Sequence, residues 1–208
     1  MVIVFLGPPA SGKGTQAQKL ADSLGYNYLS TGDMLRDIKD DKPDVAKTME
    51  EGKLIPDEEL IVLLLEYLEK KEIYDNFILD GSPRSVYQYQ KIDEWLKSKG
   101  YRIDHAILIE VSQETSVKRI SSRREDKVTG KIYNLITNPP GSEVDIKNLV
   151  LRDDDKPEVI KTRFDEYQKA TKPLIDELEK DGILLKINGE RSIEVIFEDI
   201  LERLKNRK

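Results

Sequence analysis

The sequence predicts an α/β protein built on a doubly wound parallel sheet, and three observations carry that prediction. Short continuous apolar runs recur along the chain: Val2-Ile3-Val4-Phe5-Leu6, Tyr28-Leu29, Phe77-Ile78-Leu79, Ala106-Ile107-Leu108-Ile109 and Ile183-Leu184-Leu185-Lys186-Ile187. Runs of this kind suit strands buried on both faces rather than strands with one wet face. Between the runs lie stretches with apolar residues three and four apart, as on one face of a helix. Ile160, Phe164, Tyr167, Leu174, Ile175 and Leu178 form one such stripe, and Ile193, Ile196, Phe197, Ile200, Leu201 and Leu204 form another. Third, strand and helix signals alternate, which is the pattern of a parallel sheet with helices on both faces.

The first run is followed by Gly7-Pro8-Pro9-Ala10-Ser11-Gly12-Lys13-Gly14-Thr15, and then by Ala17, Leu20, Ala21 and Leu24 at helical spacing. A glycine-containing loop between a buried strand and a helix N-terminus is built to hold phosphate, because backbone N–H groups and the helix dipole offer positive charge. Lys13 adds the full charge that β- and γ-phosphates require. The loop departs from the strict G-x-x-x-x-G-K-[ST] pattern: Gly14 follows the lysine, and the hydroxyl comes at Thr15. Ala10, Ser11, Gly12, Lys13, Gly14 and Thr15 are therefore the expected contacts to a nucleoside triphosphate.

At 208 residues the chain can fold as one α/β domain with insertions. It has no cysteine, which excludes disulfides and thiolate metal sites. No apolar run approaches membrane length, and the N-terminus enters a strand directly, so a soluble, cytoplasmic protein is expected. A formal net charge of −6 argues against non-specific nucleic-acid binding. The single histidine, His105, sits at the edge of an apolar run and reads as a strand-entry residue rather than a base. Chemistry without histidine favours phosphoryl transfer over hydrolysis by a histidine-based triad.

Two stretches interrupt the alternation and read as insertions. Residues 30–55 are helical and polar; residues 122–155 are long, irregular and charged, with Gly130 and Asn138-Pro139-Pro140-Gly141 inside and arginines at both ends. A long irregular segment inside a compact domain is commonly a functional lid. The remaining pieces, 1–29, 56–121 and 156–208, make the core.

Phe77-Ile78-Leu79-Asp80 is an apolar strand ending in a carboxylate. Asp80 is either a turn residue before Gly81 or the carboxylate that holds Mg²⁺ beside a phosphate loop. Because Gly14 has no hydroxyl, an ion near Asp80, with Asp33 as second candidate, would be held mainly through water. Arg119 and Arg123 are four apart, so they are expected on one helix face. With Arg36, Arg84, Arg152 and Arg163 they read as a clamp, since planar guanidinium groups engage two phosphate oxygens at once.

Several motifs in register resemble the adenylate kinase family. They are the phosphate loop through Gln16, Ser30-Thr31-Gly32-Asp33-Met34-Leu35-Arg36, Gly52-Lys53-Leu54-Ile55, Asp80-Gly81-Ser82-Pro83-Arg84, Arg119-Ile120-Ser121-Ser122-Arg123-Arg124, Gly130-Lys131-Ile132-Tyr133, Asn138-Pro139-Pro140 and Arg152-Asp153-Asp154-Asp155. The resemblance implies a five-stranded parallel sheet of the P-loop NTPase type. It adds a helical monophosphate-binding insertion (30–55) and a small lid (122–155). It implies the reaction Mg·ATP + AMP ⇌ 2 ADP in a monomer with no nucleic-acid or membrane partner. By the same resemblance Lys13 contacts the β- and γ-phosphates, and Arg119, Arg123, Ile132, Tyr133 and Arg191 line the ATP side. Thr31, Arg36, Lys53, Leu54, Ile55, Gly81, Ser82, Pro83, Arg84 and Gln88 serve AMP, with Arg152 and Arg163 bridging the phosphates.

The chemistry of the residues agrees with that role. A phosphate monoester with a second pKa of about 6 is already a dianion at neutral pH, so its attack needs no general base. A switch protein that read guanine would need an Asn-Lys-x-Asp stretch, which is absent. UMP or CMP remains the alternative acceptor; Thr31 and Gln88 favour AMP, because a glutamine amide both donates and accepts at an adenine edge.

Three departures from the family pattern concern Ala10 in place of glycine, Ser82 in place of phenylalanine and Pro56 in place of threonine. The first limits positive φ in the loop; the others bear on the shape of the AMP pocket. Many long-lid relatives hold zinc with four cysteines, or three and an aspartate, and the positions that correspond here are Asp126, Thr129, Asp145 and Asn148. These are either four unrelated surface residues or a hydrogen-bonded network in a lid without structural zinc, since neither thiolate nor imidazole is available.

Overall fold

The middle strand of the sheet is β1 (Val2–Leu6) in the computed structural model, which describes residues 1–38 and 42–207. It leads into α1 (Lys13–Leu24), β2 (Asn27–Ser30), α2 (Thr31–Ile38), α3 (Pro43–Glu50), α4 (Asp57–Lys70), β3 (Phe77–Asp80), α5 (Val86–Ser98), β4 (Ile103–Glu110) and α6 (Gln113–Ser121). A small antiparallel unit follows, β5 (Arg123–Asp126), β6 (Ile132–Asn134) and β7 (Leu149–Val150), and then α7 (Pro157–Lys180), β8 (Leu184–Asn188) and α8 (Ile193–Lys205). Among the described residues the main sheet has five strands in the order β2-β3-β1-β4-β8, all parallel. Residues 39–41 of the first expected insertion, and residue 208, lie outside the described residues.

Side chains alternate across each strand, so the continuous apolar runs feed two separate cores. Val2, Val4, Leu6, Phe77, Leu79, Ala106 and Leu108 face α4, α5 and α7, where Leu64, Leu68, Ile92, Leu96, Leu174 and Leu178 are buried. Ile3, Phe5, Ile78, Ile107, Ile109 and Ile187 face α1 and α8, against Ala17, Leu20, Ile196 and Ile200. Serines cap α5, α6 and α8: Ser85, Ser112 and Ser192 accept from the backbone N–H three residues on. The phosphate loop, Asp80, the end of β4 and the turn at Gly189 all meet at the C-terminal ends of the strands, where open α/β sheets place their ligands.

Two expectations are corrected. Residues 122–155 are not irregular throughout: β6-β5-β7 form a three-stranded antiparallel sheet. Arg119 and Arg123 do not share a helix face, because α6 stops at Ser121 and Arg123 opens β5, opposite Asn134. Two polar side chains end the helix. Ser122 Oγ donates to the Lys118 carbonyl at 2.8 Å, and Asn134 Nδ2 donates to the Arg119 carbonyl at 2.9 Å. His105 lies within β4, away from the cleft described next, as a strand residue.

Candidate active site

The loop between β1 and α1 turns on residues with special backbone geometry. Gly7 has φ +151°, and a Cβ there would lie 2.6 Å from the Ile109 carbonyl oxygen, so no other residue fits. Gly14 sits against the end of β3: a Cβ on it would lie 2.9 Å from Asp80 Oδ2. That close approach explains why glycine, and not a hydroxyl residue, follows Lys13. Ala10 adopts φ +55° despite its Cβ, so the loop takes the left-handed turn that alanine was expected to resist. Helix α6 braces the loop from behind. Ser116 Oγ donates to the Pro9 carbonyl, and Arg119 donates to the carbonyls of Ser11 at 3.0 Å and Gly189 at 2.9 Å.

A cleft of about 1040 Å³ opens above this loop. It gathers side chains from every part of the chain: Ala10 to Thr15; Thr31, Asp33 and Arg36 of α2; Lys53, Leu54 and Ile55; Asp80, Gly81, Pro83, Arg84 and Gln88; Arg119 and Arg123; Ile132 and Tyr133; Arg152 and Arg163; and Arg191. Of the residues expected in the nucleotide sites, only Ser82 does not line it; Ser82 is fully buried behind Gln88. Asp126, Thr129, Asp145 and Asn148 do not line it: Asp126 ends β5, and the other three lie in the connections between the lid strands.

The charges are paired with care. Arg123 donates through Nε to Asp155 Oδ2 at 2.6 Å and through its second nitrogen to Oδ1. Arg163 reaches Asp155 Oδ1 at 2.7 Å and Asp154 Oδ2 at 2.8 Å. Arg152 pairs with Glu125, and Arg36 with Asp33. Arg84 donates to the Gly81 carbonyl at 2.6 Å. Sequence reasoning quoted Asp154 and Asp155 as part of a motif and missed their role as counter-charges, since Arg123 is 32 residues from Asp155 and Arg163 is 8 from it, neither a spacing that one helix face or strand would bring together. Burial, with Arg84, Arg163 and Arg123 nearby, pulls the Lys13 amine down to about 8 against the opposing charge of Asp80. Burial likewise lowers Arg163 to about 10. For Arg123 burial acts downward too, but the hydrogen bond and charge of Asp155 outweigh it and leave the guanidinium above its ordinary value.

Asp80 is the residue best suited to a cation. Its Oδ2 accepts from the Tyr28 hydroxyl at 3.1 Å, while Oδ1 is buried with no hydrogen-bond partner among the described residues. Burial pushes its carboxyl up, with Lys13 opposing. An orphaned buried carboxylate oxygen beside a phosphate loop fits the water shell of a hard divalent ion. Asp33 is committed to Arg36 and, at 3.9 Å, faces Arg152, which makes it the weaker candidate.

In the lid, Thr129 Oγ1 donates to Asp126 Oδ2 at 2.8 Å. Asp145 instead accepts from the Lys147 backbone at 3.0 Å, and Asn148 contributes its carbonyl to Lys127 N–H at 3.0 Å. So the four positions are not one side-chain network; the first pair bonds side chain to side chain, and the two pairs are joined through backbone. Among the described residues no group of three or more His, Asp or Glu side chains is arranged to hold a metal ion.

The family model for adenylate kinase matches residues 5–183. The chain belongs to the adenylate kinase family. It is 40% identical to an adenylate kinase of Thermosipho africanus, covering 97% of this chain and 98% of the relative. It is 39% identical to an adenylate kinase of Archaeoglobus fulgidus (99% and 100% covered) and 37% identical to one of Shouchella clausii (96% and 96%). The five-stranded parallel sheet and its flanking helices are those of the P-loop fold of the adenylate kinase family. Among the described residues no helix is long and apolar enough to cross a membrane.

Proposed function

We propose that this cleft moves the γ-phosphoryl group of Mg·ATP to AMP, reversibly giving two ADP, on the lysine and arginines it gathers. The protein is a kinase of the adenylate kinase family, an ATP:AMP phosphotransferase. One observation supports the assignment of roles above all: Lys13 and five arginines, 36, 84, 123, 152 and 163, line a single cleft over the phosphate loop. Lys13 and the loop Ala10–Thr15 take the triphosphate, with Arg119, Ile132, Tyr133 and Arg191 on the ATP side. Thr31, Arg36, Lys53, Leu54, Ile55, Gly81, Pro83, Arg84 and Gln88 take AMP. Arg123, Arg152 and Arg163 lie between the two.

The work of these residues is positioning and charge stabilisation. The AMP phosphate is already a dianion at neutral pH, so the side chains move no proton before attack. The arginines hold the two phosphates in line and meet the charge that spreads over the equatorial oxygens. The lid, residues 122–155, keeps water from taking the phosphoryl group. Asp80, with Asp33 behind it, would hold magnesium through its water shell; bound with the nucleotide, that ion supplies positive charge across the phosphate oxygens. Residues 30–55 form the monophosphate-binding part and 1–29, 56–121 and 156–208 the core. The protein works in the cytoplasm as a monomer, without nucleic acid or structural zinc. A coupled assay with ATP and a panel of monophosphates tests the reading. AMP is expected to give the highest kcat/KM; comparable values for UMP or CMP overturn the acceptor, and no turnover with any overturns the enzyme.

A further inference from the structure

We propose that Asp57 and Ser82 are positioning residues that present Gln88 to the acceptor base as a hydrogen-bond donor only, so that the enzyme selects purines with an unprotonated ring nitrogen. The inference rests on the AMP-side assignment of Gln88 made above.

The Gln88 amide is held from both ends. Its Oε1 accepts from Ser82 Oγ at 2.9 Å and from the Arg84 backbone N–H at 2.7 Å, which takes both lone pairs. Its Nε2 donates to Asp57 Oδ1 at 2.7 Å. The other Asp57 oxygen accepts from Ser85 Oγ, which itself accepts from the Gln88 backbone N–H at 3.2 Å. The orientation cannot be reversed. A backbone N–H only donates and a carboxylate only accepts, so a flipped amide would set donor against donor at Arg84 and acceptor against acceptor at Asp57. Gln88 and Ser82 are 1% and 0% exposed, so water cannot relieve such a mismatch.

One Nε2–H is left over, and Gln88 lines the cleft. An amide with a saturated oxygen cannot also accept from the 6-amino group of adenine. It can donate to a ring nitrogen that carries a lone pair, as N1 of adenine does. In hypoxanthine and guanine that nitrogen bears a hydrogen, and two donors would meet. The resemblance put Ser82 among the AMP residues, but neither it nor Asp57 lines the cleft, and both act through Gln88.

Purine riboside 5′-monophosphate, which keeps the N1 lone pair and lacks the amino group, separates this from two-point reading of adenine. The intact enzyme is expected to phosphorylate it with kcat/KM close to that for AMP, and to use inosine 5′-monophosphate at least about tenfold less well. Asp57→Ala is expected to raise KM for AMP severalfold with kcat held, and to shrink the AMP-to-inosine ratio. Asp57→Asn keeps an accepting oxygen for Nε2 and is expected to preserve the ratio. The proposal is overturned if purine riboside monophosphate is as poor an acceptor as inosine monophosphate, if inosine and adenosine monophosphates are used equally, or if Asp57→Ala leaves the ratio unchanged. Failure to phosphorylate AMP itself strikes the assignment of the cleft instead.

Discussion

Replacing Asp155 with alanine removes the carboxylate on which two of the clamp arginines close. Its side chain is 0% exposed, against 15% for Arg123 and 18% for Arg163. It accepts both nitrogens of the Arg123 fork and one of Arg163. Breaking a buried pair from one side costs about 3–5 kcal/mol, because the partner charge stays desolvated. The low end applies here, since both guanidiniums keep some solvent and Asp154 still holds Arg163 at 2.8 Å. A loss of about 3 kcal/mol in a domain of this size lowers Tm by on the order of 10 °C. Thermal unfolding of Asp155→Ala beside the parent measures this, and an Arg123→Ala background should make the same change cheaper by about 1–3 kcal/mol. A midpoint within about 2 °C of the parent, or strict additivity with Arg123→Ala, would refute the reasoning.

Lys13→Met should lower kcat by on the order of 10²–10³ while the fold survives, and near-normal kcat with only a raised KM would make the lysine a uniform binder. Ala10→Gly should relieve the left-handed φ at a smaller cost in chain entropy, for a net gain of about 0.5–1 kcal/mol in denaturant unfolding; a loss would contradict the strain. One equivalent of zinc, or a chelator, should leave the unfolding midpoint where it was, and stoichiometric zinc in metal analysis of purified protein would disprove a metal-free lid.

The core strands were legible because burial on both faces writes itself as uninterrupted apolar residues: Val2 to Leu6 and Ala106 to Ile109 are strands in sequence and in structure alike. The lid sheet was not. Arg123-Arg124-Glu125-Asp126 carries no apolar alternation, and the strand exists because Ile132 to Asn134 and Leu149 to Val150 pair with it from either side. The four-residue spacing of Arg119 and Arg123 suggested a shared helix face, and the helix ends between them through Asn134, a partner no local rule reveals. The phosphate loop, Lys13 and the arginines were legible as residue types. Of the carboxylate partners only Asp33, three residues before Arg36 on one helix, sits at a spacing the sequence shows; Glu125, Asp154 and Asp155, and the hold of Asp57 and Ser82 on Gln88, come from contacts that no helical or strand spacing marks.

The pairing of Arg36, Arg123, Arg152 and Arg163 with Asp33, Asp154, Asp155 and Glu125 has a consequence for which anions the cleft admits. Each guanidinium already has an internal counter-ion, so a stray inorganic phosphate or sulfate must break a pair to gain one, and gains little. A nucleotide polyphosphate tethers several anionic groups on one scaffold. Once the loop has captured the first, the others arrive at high effective concentration and displace the carboxylates together. On the function proposed for this cleft, the resident acids set a threshold at these four arginines that a tethered polyphosphate crosses more readily than a single small ion.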